Sequence, residues 1–406
     1  MALPESSPPP SAPEPFTLHV SEDRLTDLHE RLRRTRLAPD HHNDDWFYGV
    51  PSAVLGEWVE AWLAFDWRAV ESQINRYDNY LVEIDGIQIH YLREPGEGPA
   101  PTPLLLVHGW PWTFWDWRDT IDALANPSAH GGDASDAFDV VVVSLPGFGL
   151  SGPLPRTRVT YPQAADIYRT LMVEVLGYDR FAASGGDQGT LTASQLGHKY
   201  AEDMIGIHLF GTVPLGLFSG SNPLPLQPNL GFTPPPIPSE DPVLARAPQP
   251  RRMPSAHVWM HGLEPQTLAA AMHDSPAGMM AWLLHRRHWW SQDRGDISDA
   301  FDRDFLLANF TLYWMTDTFA SSVRSYRDMI FTNQWTPSHD RKPVVEAPTG
   351  ITWFDDDDSS GQSRFWAPEY YNLVRWSGQA TGGHFAAWEQ PATVVDELRQ
   401  TFRLLR

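Results

Sequence analysis

Five consecutive residues, Gly185-Gly186-Asp187-Gln188-Gly189, constrain this chain more than any other stretch. They end an apolar run, GYDRFAASGGDQG (177–189), and precede TLTASQLGHKYA, which reads as a helix. A small residue on either side of the aspartate lets a strand and a helix pack closely around a sharp turn. Read alone, the letters also suit a turn aspartate that merely caps the next helix. The surroundings decide between the two.

Two further apolar runs lie upstream, PLLLVHGW (103–110) and FDVVVVSLPGFG (138–149). Runs that are apolar on both faces suit central parallel strands. TFWDWRDTIDALA between them reads as a crossover helix. Strand, tight turn and helix in repetition predict right-handed βαβ units. Before them, VEIDGIQIHYLRE (82–94) alternates around Asp85-Gly86 and predicts a hairpin. Leu25, Leu28 and Leu32 have helical spacing behind Ser21 as N-cap, and a second helix after Pro51 carries Val54, Leu55, Trp58, Trp62 and Leu63.

Downstream, residues 217–254 are too rich in proline for a regular element and read as a surface connector or a loop bordering a substrate entrance. Helices resume over 264–330, and a last helix is expected over 394–405. The expected organisation is a disordered Pro/Ser-rich tail (1–15), an N-terminal region (16–95), a first core half (96–216), a helical lid (217–330) and a second core half (331–406).

The elbow has partners in chain order. His108-Gly109-Trp110-Pro111 ends a strand, where the backbone N–H groups of Trp110 and Gln188 would form an oxyanion hole. Trp353-Phe354-Asp355-Asp356-Asp357-Asp358 offers an acid, and Gly382-Gly383-His384-Phe385 offers a histidine before the last helix. Nucleophile, acid, histidine is the order of the α/β-hydrolase fold: a mostly parallel central sheet flanked by helices, here with a helical lid and an N-terminal meander. An aspartate in the serine position attacks an sp3 carbon directly and gives an enzyme ester. His384 would then activate the water that cleaves it.

Composition narrows the rest. A formal net charge of -21 argues against nucleic-acid or anionic-membrane partners. No apolar run reaches the roughly 20 residues of a membrane span, and the N-terminus has no secretory pattern. The absence of cysteine excludes thiolate chemistry and is compatible with a cytoplasmic home. No cofactor or metal is expected; His41-His42 and the aspartate run lack site-like spacing.

The chain resembles the microsomal-type epoxide hydrolase family over nearly everything after residue 16. The resemblance rests on FDWRAVESQIN (65–75), EIDGIQIHY (83–91), HGWP (108–111), LPGFGLSG (145–152), GGDQG (185–189), HDSPAGMMAW (273–282), LYWMTDTFASSVRSYRD (312–328), PTG (348–350) and GGHFAAWEQP (382–391). It implies Asp187 as nucleophile, His384 as base, Asp357 as the triad acid, and Tyr326 as a lid phenol that polarises the epoxide oxygen. It also implies a cis peptide at Trp110-Pro111. The position of the family's other lid tyrosine falls on His257, and no tyrosine occurs between Tyr200 and Tyr313. Tyr326 then acts alone, or His257 donates the second hydrogen bond.

A haloalkane dehalogenase-like hydrolase would want tryptophan where Gln188 stands. A catalytically silent ligand-binding relative would not need Asp187, Asp357 and His384 together. The 18 tryptophans suggest a bulky or aromatic small-molecule epoxide. Some bacterial relatives act on epoxide intermediates of secondary metabolism, such as enediynes. A homodimer is left open.

Overall fold

The computed structural model describes residues 9–211, 256–292, 297–331, 339, 341–354 and 363–406. Among the described residues nine strands form one sheet: β1 (Glu14–Pro15), β2 (Asp78–Ile84), β3 (Ile87–Glu94), β4 (Thr102–Val107), β5 (Phe138–Val143), β6 (Phe181–Gly186), β7 (Met204–Phe210), β8 (Val345–Phe354) and β9 (Tyr371–Gln379). Their order is β1-β2-β3-β5-β4-β6-β7-β8-β9. The strands from β5 to β9 run parallel, while β1, β2 and β3 form the expected antiparallel meander.

The apolar runs become central strands because helices cover both faces of the sheet. Every residue of β5 and β6 is buried. Leu105 pairs with Val141 on one side and Ala183 on the other. From β4 the chain goes first to β5 on one side and then to β6 on the other. That reversal opens a crevice beyond the carboxyl ends of β4 and β6, where ligands of parallel sheets bind.

The hairpin turns on Asp85 and Gly86 at φ 52° and 69°, the left-handed pair that matches strand twist. The first helix covers Glu22–Arg33 and buries Leu25, Leu28 and Leu32. Ser21 occupies its N-cap, but the Ser21 side chain accepts no hydrogen bond there; its carbonyl receives the Arg24 and Leu25 N–H groups instead. The expected disordered tail is also too long as drawn. Glu14 and Pro15 pair with Leu81 and Tyr80, and the Ser11 N–H donates to the Glu83 carbonyl, because the open edge of β2 offers partners to an extended segment. Residues 1–8 lie outside the described residues.

Between β7 and β8 the chain forms a helical layer: Ala256–Leu263, Pro265–Asp274, Pro276–Trp290, Arg303–Met315 and Phe319–Phe331. The proline-rich stretch 217–254 lies outside the described residues. The N-terminal helices Ser52–Ala64 and Trp67–Ile74 back this layer. Trp62 donates to Thr311 Oγ1 at 2.9 Å, both groups buried. The closing helix, Pro391–Arg403, starts with proline in its first turn, where no N–H is missed. Among the described residues no helix is long and apolar enough to cross a membrane.

Candidate active site

Close packing makes the elbow. A side chain at Gly185 would meet the Gly189 backbone at 2.5 Å, and one at Gly189 would meet the Val107 carbonyl at 2.2 Å. The strand and the following helix, Gln188–Lys199, therefore approach nearer than any larger residue allows. Asp187 sits between them at φ 51°, ψ -120°, a strained conformation that a non-glycine residue holds only when its surroundings enforce it. Gly109 is needed for the same reason: a Cβ there would lie 2.4 Å from Asp187 Oδ1.

The carboxylate meets the expected groups. The Trp110 N–H donates to Oδ1 at 2.8 Å, and the Gln188 N–H also faces the carboxylate. His384 Nε2 stands 3.4 Å from Oδ2. Burial pushes the Asp187 carboxyl up, but the His384 imidazole and the two N–H groups outweigh it and hold it below the usual carboxylate value. Asp187 is therefore an ionised group aimed into the crevice.

The oxyanion loop is held from below by His108. This buried ring pairs Nδ1 with the Gly109 carbonyl at 2.9 Å, and its Nε2 accepts the Leu145 N–H at 3.0 Å. Those partners require the neutral Nδ1–H tautomer. Burial lowers its pKa to about 4, consistent with that state. The Trp110-Pro111 bond is cis, as the resemblance implied.

His384 is carried on a loop sewn to the lid. Its N–H donates to the Trp290 carbonyl at 2.9 Å, and the Gly382 N–H donates to Gln292 Oε1 at 2.6 Å. Glu389 accepts from the N–H groups of both Phe385 and Gln292. Trp112 and Trp290 pack edge-on against the imidazole.

The lid contributes Tyr326 and His257. Tyr326 is buried, and burial followed by the Asp187 charge raises its hydroxyl well above the usual phenol value; the Gln188 side chain pulls weakly the other way. It is a protonated donor at any working pH. His257 stacks on Trp110 with ring centroids 5.5 Å apart and an interplanar angle of 7°. Its ring also meets Tyr326 edge-on at 5.5 Å. The structure thus brings Asp187, Trp110, Gln188, His384, Tyr326 and His257 together. Asp357 lies outside the described residues.

Sequence reading missed one buried ion pair. Arg287, on the lid helix, donates to Asp116 Oδ1 at 2.7 Å and to the Pro111 carbonyl at 2.9 Å. Its guanidinium also covers the Phe385 ring at 4.2 Å. One fully buried cation therefore ties the oxyanion loop, the lid and the histidine loop together. Nothing in the two adjacent arginines of HRRHWW announces which of them does this. Tyr161, also buried near Asp187, was missed because it lies outside every motif.

The sheet order, the elbow and the chain order of its partners define a hydrolase of the α/β-hydrolase fold. Residues 102–241 match the alpha/beta hydrolase fold family, and residues 13–117 match the Epoxide hydrolase N terminus family. A relative from Stigmatella aurantiaca (strain DW4/3-1), whose name gives epoxide hydrolase as a proposed activity, is 36% identical over 97% of this chain and 85% of its own. Epoxide hydrolase 1 of Sus scrofa is 29% identical over 96% of this chain and 88% of its own. The solved structure of Aspergillus niger epoxide hydrolase shares the fold, with a TM-score of 0.80 at 24% identity, covering 98% of this chain and 97% of the other. The chain belongs to the epoxide hydrolase family.

Proposed function

We propose that the protein converts a bulky or aromatic epoxide to a vicinal diol through a covalent ester on Asp187. The observation that carries this reading is the Asp187 carboxylate: ionised, strained into the crevice, and held at one oxygen by the Trp110 N–H while the other faces His384. In the first step Oδ2 attacks an epoxide carbon, and the ring C–O bond breaks. The leaving alkoxide takes a proton from Tyr326, with His257 beside it as second donor. In the second step His384 removes a proton from water, which attacks the ester carbonyl. The Trp110 and Gln188 N–H groups stabilise the resulting oxyanion. The proposed acid, Asp357, stabilises the imidazolium. Collapse expels the diol oxygen, which takes the proton from the His384 imidazolium, and the proton left on the Asp187 acid returns to the Tyr326 phenolate, so that all three groups are restored.

The same steps dictate where the water oxygen goes. With enzyme in excess over epoxide, in water labelled with heavy oxygen, the first turnover should place the label in the Asp187 carboxylate and leave the diol unlabelled. Mass analysis of the peptide containing Asp187 reads this. Label in the diol and none in Asp187 would mean that water attacks the epoxide directly.

A further inference from the structure

A recess lies beside the elbow, with Gln188 in its wall. Its apolar wall includes Leu145, Phe148 and Val159, and its polar side chains are Thr160, Tyr161, Gln188 and Ser325. Tyr161 opens the helix Tyr161–Arg169, whose first turn is fixed by a capping box between Thr160 and Gln163. Tyr161 is 7% exposed and Gln188 3%.

Two of these buried polar atoms have no hydrogen-bond partner among the described residues: the Tyr161 hydroxyl and Gln188 Oε1. The remaining polar side-chain atoms have partners, the Thr160 hydroxyl donating to Gln163 Oε1. Gln188 Nε2 reaches Ser325 Oγ at 3.5 Å, and the Ser325 hydroxyl donates to the Ser322 carbonyl at 2.7 Å. The Ser325 side chain faces Tyr161, but outside ordinary hydrogen-bond geometry, so the Tyr161 hydroxyl is left without a partner of that geometry among the described residues. Burial and the Asp187 charge raise the Tyr161 phenol well above its usual value, with Ser325 pulling weakly the other way, so Tyr161 keeps its proton.

The recess therefore presents one unused donor and one unused acceptor. Buried polar atoms are nearly always paired, and leaving them unpaired is costly. The inventory selects the missing partner. A carbonyl, ether or halide only accepts and would satisfy Tyr161 alone. An ammonium only donates and would satisfy Gln188 alone. A carboxylate would face the Gln188 oxygen and the Asp187 charge. An alcohol both accepts and donates and satisfies the pair.

We propose that this recess is a specificity subsite for a hydroxyl group carried by the epoxide substrate, Tyr161 donating to its oxygen and Gln188 Oε1 accepting its proton. The proposal rests on the hydrolase reading above and narrows the substrate class to hydroxylated epoxides. A bound water would satisfy the same two atoms, and the test separates the cases.

Terminal epoxides of increasing chain length, each with and without an ω-hydroxyl, are compared by kcat/KM. At the length that reaches the recess the wild type should prefer the hydroxylated member by about tenfold or more, the worth of a hydrogen bond to an otherwise unpaired buried group. Tyr161→Phe and Gln188→Met, each checked for an unchanged melting transition, should collapse that preference toward parity. Equal losses on both members of a pair would make Tyr161 part of the chemistry or the fold rather than of recognition. An unchanged preference, or no preference at any length in the wild type, would leave the recess to water; either result overturns the subsite. If the wild type hydrolyses no epoxide at all, the hydrolase reading fails, and the subsite is judged by calorimetric binding of the same pairs. Tighter binding of the hydroxylated member that is lost in Tyr161→Phe supports it, and equal binding overturns it.

Discussion

The two sides of the active site are held in place by different physics. On the sheet side, backbone packing fixes Asp187 and its donors. Gly185, Gly189 and Gly109 leave no space for a side chain, and Asp187, the proposed nucleophile, is strained into one position. On the lid side, rings do the same work. Tyr326, His257, His261 and Trp290 surround the Trp110 indole, and centroid distances of 4.6–6.2 Å replace backbone hydrogen bonds. Backbone positions cannot drift without unmaking the fold, whereas stacked rings can be exchanged for others of similar shape. The difference accounts for why no larger residue fits beside Asp187, while a lid position can hold histidine where the family resemblance implied tyrosine.

The largest effect is expected in the aspartate run. Asp357→Asn should lower turnover by about 10⁴, the scale seen when the acid of a triad loses its charge. Asp355→Asn, Asp356→Asn and Asp358→Asn should cost far less. A comparable loss at Asp358 alone would move the acid by one residue. Steady-state kinetics on the four variants decides it.

Next comes the lid donor. Tyr326→Phe should slow ester formation by about 10²–10³, the worth of one preorganised donor to a developing oxyanion. Ester hydrolysis should be spared, because water attacks on the sheet side. Single-turnover rates of the two steps separate these expectations, and equal slowing of both would erase the division of labour between the two sides.

His257→Phe should act on the same step more weakly, by about tenfold, the scale of one hydrogen bond. His257→Tyr, which restores the family residue, should be tolerated. Identical alkylation rates in wild type and His257→Phe would reduce His257 to the ring that covers Trp110.

The smallest effect concerns acid. The Asp187 carboxyl is held below its ordinary value in the folded protein. A lowered pKa keeps the nucleophile ionised as pH falls through the ordinary aspartate range, and its contribution to stability is lost only on falling through the lowered value. The midpoint of any acid loss of alkylation that Asp187 sets should therefore lie below the ordinary aspartate value of 3.8. A fall centred above it would show that His384 and the N–H groups do not hold the carboxylate as described.

Much of this was legible because backbone chemistry leaves local marks. The glycines around Asp187, the apolar runs of β4 and β5 and the Asp85-Gly86 turn each follow from a steric rule that a few adjacent letters satisfy. The missed features depend on residues far apart in sequence. Arg287 finds Asp116 and Pro111 only because the lid packs on the sheet, and the recess that gathers Tyr161, Gln188 and Ser325 needs three separate elements to meet. The tail failed differently. Its composition read as disorder, but the open edge of β2 captures Glu14 and Pro15.

The central claim is that Asp187 forms an ester which only His384 can release. His384→Gln removes the base and leaves the nucleophile, its elbow and its oxyanion donors in place. Incubated with an epoxide that the wild type consumes, this variant should gain the full mass of the epoxide, and peptide mapping should place the addition on Asp187. A variant that turns over no epoxide and yet gains no mass would contradict the covalent mechanism.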